Sequence, residues 1–276
     1  MKTWFITGIS RGLGKALAEA ALARGDTVIG TVRDAAPAMD AGAGALHVLT
    51  LDVADPGAVR QAVTEAFGIT GRIDVLVNNA GYGLLGAIEE ADDAAVDQLM
   101  AVNLLAPFRI IRAALPAMRA QGAGHILNIT SIAGRAPMAG SGLYAAAKGA
   151  VEMMSEALAQ EVAPFGLKVT AIAPGAFRTD FLSDHSIRRS RQTDAYADSV
   201  GAALNYLDEM AGRQKGDPAK AAQAILTLVD APEPPLHLLL GSDALRRARV
   251  KIDALIEEID RWEDLTRSTD FEESLG

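Results

Sequence analysis

Six times along this chain a short apolar run gives way to a longer stretch with helical spacing. Runs of strand length cover Lys2 to Ile6, Thr27 to Val32, His47 to Val53, Ile73 to Val77, His125 to Thr130 and Leu167 to Ala173. Helical patterns lie among them, at Lys15 to Arg24, Asp55 to Phe67, Ala95 to Met118 and Leu143 to Phe165, and Leu236 to Leu240 forms a last apolar strand. Strands joined through helices run parallel, so the expected class is α/β with a doubly wound, mainly parallel sheet. Ligands of such sheets lie across the carboxyl ends of the strands, and those ends carry Thr7, Asn79, Ser131 and Pro174.

The first strand runs into Thr7-Gly-Ile-Ser-Arg-Gly-Leu-Gly14 and then a helix. Glycines at 8, 12 and 14 let the backbone turn tightly and approach a diphosphate, while a helix N-terminus points unpaired N–H groups at it. A plain connecting turn would use glycine too, and the spacing differs from both the commoner dinucleotide fingerprint and the phosphate loop. The second strand ends in Val32-Arg33, where many dinucleotide proteins place a ribose-binding carboxylate. An apolar residue there, with Arg33 beside it and Arg11 in the glycine turn, suits a ribose 2′-phosphate and predicts NADP(H) over NAD(H).

The stretch Ser131 to Lys148 follows the fifth strand. Tyr144 and Lys148 are four apart on a helix, which puts phenol and ammonium on one face. A tyrosine holds its proton to a pKa of about 10 unless a nearby cation stabilises the phenolate, and Lys148 supplies that cation. A serine across the cleft would hold a carbonyl oxygen while the phenol gives or takes a proton. The pair alone is also what a half-buried tyrosine beside a solvated lysine looks like, so the surrounding motifs decide. Asn78 and Asn79 close the fourth strand, where their amides bond backbone or form a simple turn. Asn103 sits among apolar residues of a helix near Pro107; its amide either satisfies a bulge or holds a water, and the second is preferred.

With 276 residues, half of them hydrophobic, the chain suits one large domain with an appendage. No uninterrupted apolar run suggests a membrane span, and the first residues enter a strand at once, so a cytoplasmic protein without a leader is expected. A net charge of -9 argues against nucleic-acid binding. The chain has no cysteine and four scattered histidines, so no metal ligand set is assigned. Residues 181–216 break the alternation and read as an insertion covering the pocket, with Tyr196, Leu204, Tyr206, Leu207 and Met210 in a weak amphipathic helix. Phe177, Phe181, Leu182, Met138, Leu84 and Tyr206 suggest an apolar pocket for a hydrophobic or aromatic carbonyl substrate. From Ser242 a long charged helix carries Leu245, Val250, Ile252, Leu255, Ile259 and Trp262, an appendage for the domain or for a second subunit.

Taken together, T-G-x-x-x-G-x-G at Thr7 to Gly14, N-N-A-G at Asn78 to Gly81, Asn103, Ser131, Tyr144-x-x-x-Lys148 and Pro174-Gly175 resemble the classical short-chain dehydrogenases/reductases, over roughly residues 2 to 241. The resemblance implies a Rossmann-type catalytic domain over 1–241, with 181–216 as substrate lid and 242–276 as a C-terminal helical extension of the kind seen in longer members that resemble steroid and retinoid dehydrogenases. It implies Tyr144 as general acid/base, Lys148 lowering its pKa and binding the nicotinamide ribose, Ser131 orienting the carbonyl, and Asn103 holding a relay water. Cofactor contacts are expected from Thr7, Gly8, Ser10, Arg11, Gly12, Leu13 and Gly14, from Arg33, and from Asp52 and Val53 at the adenine. Asn79, Ala80 and Gly81 are expected on the ribose side, and Pro174, Gly175 and Thr179 at the carboxamide. The implied protein is an NADP(H)-dependent carbonyl/alcohol oxidoreductase, a homodimer or homotetramer. Two rivals are a non-catalytic NADP(H)-binding redox sensor and a nucleotide-sugar epimerase or dehydratase, the latter usually having a larger C-terminal domain.

Overall fold

Strand β1 (Thr3–Thr7) is buried along its whole length, and its alternate side chains feed two separate cores. Phe5 faces one side of the sheet and Trp4 and Ile6 the other, as the two-residue period of a strand requires. The protein, described by a computed structural model for residues 1–34, 38–183, 185–191 and 193–271, builds outward from that strand.

In chain order the elements are β1, α1 (Gly12–Ala23), β2 (Thr27–Val32), β3 (Ala45–Thr50), α2 (Pro56–Thr70), β4 (Val75–Asn78) and β5 (Gly83–Leu85). There follow α3 (Asp93–Met100), α4 (Ala106–Gln121), β6 (Gly124–Ile129), α5 (Gly142–Val162), β7 (Leu167–Pro174) and β8 (Ile187–Arg189). The last are α6 (Ala202–Met210), α7 (Pro218–Asp230), β9 (His237–Leu240), α8 (Ser242–Arg261) and α9 (Glu263–Arg267). Seven parallel strands lie in the order β3-β2-β1-β4-β6-β7-β9. The chain winds one way from β1 to β3 and the other way from β4 onward, so the expected doubly wound sheet is present and its crevice opens between the ends of β1 and β4. Side chains from α2, α4 and α5 fill one core with Phe5, Ile29, Leu76 and Ile126, while α1 and α7 fill the other with Ile6, Val77 and Leu127.

Several boundaries differ from the sequence reading for local reasons. The third strand begins at Ala45, ahead of His47, and ends at Thr50, because the chain turns at Asp52, whose Oδ1 accepts from the Ala54 N–H at 2.9 Å. The helix expected from Ala95 to Met118 is broken into α3 and α4 by a π-helical turn at Ala101–Leu105, where Pro107 has no N–H to give the preceding turn. The first helix starts at Gly12, inside the glycine motif. Contrary to the expected lack of a spanning segment, Asp93–Gln121 is long and apolar enough to cross a bilayer on length and composition. Ile110, Ile111, Ala114 and Met118 of this segment are buried in the core with α2 residues, which accounts for its apolar content.

The insertion at 181–216 is tied down by a second, two-stranded parallel ladder in which Gly83–Leu85 pair with Ile187–Arg189. Val200 and Leu204 pack under it on Leu85 and Ala87, so α6 is a structural roof over the strand ends. Residues 184 and 192 of the insertion and 272–276 of the extension lie outside the described residues.

His125 on β6 is buried, its Nε2 2.9 Å from the Thr170 hydroxyl of β7. Burial, with Lys168 and Lys2 nearby, pushes its imidazole down to about 4. A folded state that keeps His125 neutral while the unfolded chain protonates it loses stability as pH falls from about 6.5 through about 4, by roughly 3 kcal/mol. Thermal melts of wild type and His125→Gln between pH 7 and pH 4 are expected to diverge in slope, the variant losing less on acidification.

Candidate active site

Every strand of the main sheet from β1 to β7 delivers a candidate residue to one edge. The carboxyl ends of β1, β2, β3, β4, β6 and β7, with the insertion above them, enclose a cleft of about 1240 Å³. Gly8, Ser10, Arg11, Gly12, Leu13, Arg33, Asp52, Val53, Asn79, Ala80, Gly81, Ser131, Tyr144, Lys148, Pro174, Gly175 and Thr179 line it, so these expected residues are brought together.

At one end the geometry suits a diphosphate. Gly8 and Gly12 have φ of 74° and 61°, left-handed values that favour glycine. No side chain caps the first N–H groups of α1, so the helix N-terminus is free to meet an anion. A Cβ on Gly14 would overlap the Asn79 amide and the Gly8 carbonyl oxygen, so only glycine lets α1 lie this close to the end of β4. Arg33 and Asp34 are exposed at the rim. Arg11 is already engaged: its Nη2 donates to the His185 carbonyl at 2.8 Å, latching the insertion to the glycine turn.

Three expected contact residues stand behind the wall instead of lining it, which corrects the sequence reading. Thr7 is buried; its hydroxyl accepts from the N–H groups of Asn79 and Ala80, both at 3.0 Å, and donates to the Val77 carbonyl at 3.3 Å. Asn79 returns the favour, its Nδ2 donating to the carbonyls of Thr7 and Gly8 at 2.9 and 3.0 Å. Gly14 is the packing partner just described. Asn103 is buried in the π turn, and its amide clasps the backbone of Tyr82, accepting from its N–H at 3.1 Å and donating to its carbonyl at 2.7 Å. Through these two bonds the amide satisfies backbone, one of the two roles the sequence offered it. Leu84 is likewise buried against Leu99 and Tyr144, and its neighbour Leu85 lines the cleft, one strand position flipping the face.

The other end is built on α5. Tyr144 and Lys148 share a face one turn apart, both buried, with Ser131 across from them at the end of β6. The Ser131 oxygen accepts from the Ala133 N–H at 3.1 Å, which fixes the side chain and leaves its proton to donate. Burial pushes the Tyr144 phenol up to about 12, and the Ser131 hydroxyl pulls in the other direction. Burial pushes the Lys148 ammonium down to about 8, against the pull of Glu152. Near neutral pH the phenol thus holds its proton and the ammonium its charge. Lys148 donates to the Ile129 carbonyl at 2.8 Å. A Cβ on Gly81 would stand 3.2 Å from the Asn103 Oδ1 and 3.3 Å from the Lys148 Nζ, so the two side chains meet under that glycine. The Phe181 ring, 6.0 Å from that of Tyr144 and tilted by 49°, closes the apolar side with Met138, Phe177 and Leu182.

Some functional residues were not singled out in the sequence. Glu152 is the next residue on the Tyr144–Lys148 face, four further on, a spacing that would have revealed it. It is buried, accepts from the Thr130 hydroxyl and pairs with Arg135 at 2.6 Å. Gln214 lines the cleft with its side-chain amide buried and without a partner at either end, a group that a bound molecule could satisfy. Asp243, in the first turn of α8, accepts from the Ala176 N–H at 2.8 Å and fills the space where a Gly175 side chain would stand. No pattern in the sequence links these last two residues to the site. Among the described residues no group of three or more acidic, histidine or cysteine side chains could hold a metal.

A family model described as short chain dehydrogenase matches residues 2–190. Oxidoreductase BOA17 of Botryotinia fuckeliana is 39% identical over 269 residues, 96% of this chain and 98% of that protein. A short-chain dehydrogenase from Streptomyces avermitilis of known structure is 40% identical, with a TM-score of 0.88 over 98% of this chain and 100% of its own. A metagenomic short-chain oxidoreductase solved in complex with NADP is 28% identical, with a TM-score of 0.69 over 87% of this chain and 96% of its own. Solved chains of this fold include an NAD complex as well.

Replacing Thr7 by valine keeps its shape and strands the N–H groups of Asn79 and Ala80, a loss of about 1–3 kcal/mol for a buried unsatisfied donor. Urea unfolding of Thr7→Val is expected to show that loss, while Thr7→Ser stays close to wild type.

Proposed function

The chain belongs to the short-chain dehydrogenase family, and on that premise we propose that it is an NADP(H)-dependent oxidoreductase interconverting a carbonyl and an alcohol on a small hydrophobic or aromatic substrate. The observation that carries this reading is the meeting of Ser131, Tyr144 and Lys148 at one end of a cleft whose other end is a glycine turn under an uncapped helix. A nicotinamide dinucleotide, when bound, supplies or accepts the hydride. The uncapped N–H groups of α1 would hold its diphosphate, Asp52 and Val53 its adenine, Asn79 to Gly81 and Lys148 its riboses, and Pro174, Gly175 and Thr179 its carboxamide. Arg33 would meet a 2′-phosphate, with Arg11 joining it once its bond to the insertion is exchanged for the stronger charged partner.

The residues divide the remaining chemistry. Ser131, oriented by Ala133, donates a hydrogen bond to the substrate oxygen. Tyr144, protonated near neutrality, gives its proton to that oxygen as negative charge develops there, and in the reverse direction takes it back. The Lys148 ammonium steadies the phenolate left behind, and burial of the phenol and the ammonium makes that electrostatic support stronger than it would be in water. Asn103 acts by holding the Tyr82 backbone in place, next to Gly81 and Lys148. Phe181, Phe177, Met138 and Leu182 make the substrate side apolar, which favours a ketone or aldehyde with a hydrophobic body.

A redox sensor without turnover would have no use for a serine held ready to donate beside a buried phenol and ammonium. An epimerase or dehydratase acting on a nucleotide sugar needs room for a second nucleotide. Among the described residues, the chain beyond Gly216 consists of α7, β9 and the α8–α9 arm, with no added domain.

Tyr144→Phe is expected to bind NADPH as wild type does, by fluorescence titration, and to lose at least about a thousandfold in turnover with aromatic ketones and aldehydes. Unchanged turnover would overturn the assigned proton donor. In the same titrations wild type should bind NADPH more tightly than NADH, and Arg33→Ala should weaken NADPH about tenfold or more while leaving NADH unchanged.

A further inference from the structure

Helix α8 leaves the domain almost at once. Ala244 and Ala248 are buried against Ile132 and Ala136, and beyond residue 248 every described side chain of the arm is exposed. Yet the arm is not polar all round. Leu245, Ala248, Ile252, Leu255, Ile259 and Trp262 follow one another at intervals of three and four residues, the seam of a coiled coil. Leu245, Ile252, Leu255, Ile259 and Trp262 are 43%, 55%, 45%, 59% and 55% exposed, so apart from Ala248, which meets the domain, no other described part of the chain covers the stripe.

The charges beside the seam identify its occupant. Arg246, Arg247, Arg249 and Lys251 make the first half basic, and Glu257, Glu258, Asp260, Glu263 and Asp264 make the second half largely acidic. The end turns carry the charges the helix dipole favours, Asp243 first and Arg261 last, and that effect fades within a turn, so it does not explain the basic and acidic halves between them. A partner running antiparallel does. With Leu245 and Ile252 at one heptad seam position and Ala248 and Leu255 at the other, the flanking positions hold Arg249, Lys251, Glu258 and Glu263. A second copy in reverse direction sets basic against acidic at both ends, whereas a parallel copy sets like against like. An anionic membrane is disfavoured by the acidic half.

We propose that the α8 arm is an antiparallel self-association surface, joining two copies of this chain through the Leu245–Trp262 seam. This contact is separate from any pairing through α4 and α5, and it does not depend on the reaction assigned above.

The test uses full-length protein in sedimentation equilibrium at micromolar concentration. Ile252→Asp/Ile259→Asp is expected to sediment with half the mass of wild type, with its melting temperature essentially kept because both side chains are exposed. Two charge-reversed proteins, Arg249→Glu/Lys251→Glu and Glu258→Lys/Glu263→Lys, are each expected to associate at least tenfold more weakly, and an equimolar mixture of them to regain the wild-type mass. A monomeric wild type, an unaltered mass in the aspartate variant, or a mixture that stays at the reduced mass would each overturn the proposal. Turnover per chain should be the same in all of these proteins.

Discussion

One hydroxyl holds the two halves of the sheet in register where they part. Thr7 ends β1, Asn79 follows β4, and between these adjacent strands the winding reverses, so no crossover helix covers the gap. Backbone N–H groups that leave a sheet there need new partners, and in a buried place each unpaired one is costly. The Thr7 oxygen accepts two of them, and the Asn79 amide answers by taking up two carbonyls of the glycine turn. The cleft floor is thereby fixed before any ligand arrives. Gly14 can sit beneath Asn79 only because it has no side chain, which brings the N-terminus of α1 to the same point.

The Tyr144–Lys148 end of the cleft rests on a second buried polar system. Lys148 would be costly to bury alone, and its neighbours are arranged to bear it: the Ile129 carbonyl takes one N–H, and Glu152 adds a favourable field from one turn away. Glu152 in turn is held by Thr130 and Arg135, and Arg135 also donates to the His237 Nδ1 of β9 at 2.8 Å. Near neutral pH both groups of the cleft hold their protons: burial favours the neutral Tyr144 phenol, while the Lys148 ammonium stays charged against burial with the help of Glu152.

Much of this was legible in the residues. Apolar runs of strand length and the punctuation between them gave the strand ends, because backbone polarity leaves a buried parallel strand few other compositions. The four-residue step from Tyr144 to Lys148 placed both on one face of α5 toward the cleft, since helical geometry is local. What failed to show was whatever depends on a distant partner. Thr7 and Asn103 belong to motifs of binding residues, yet they work from behind the wall, and which way a side chain faces is set by packing against chain far away in sequence. Leu84 and Leu85 illustrate the same limit, since a single register step decides which one meets the cleft. The Gln214 amide reaches the site from a loop and the Asp243 carboxylate from the first turn of α8, neither with a periodic signal that points to it. The clasp between Arg11 and the His185 carbonyl joins residues 174 apart.

The contact between Asp243 and the turn at Pro174–Gly175 has a bearing on where this catalytic unit ends. The family pattern stops at residue 190, and the last strand stops at Leu240. Yet the wall behind Gly175 is supplied by the root of the arm. Chimeras that splice the C-terminal portion of one relative onto the body of another would exchange part of that wall along with the tail. In a protein of this build, inherited changes in the tail can shift the turn at Pro174–Gly175 without touching any residue of the recognised motifs.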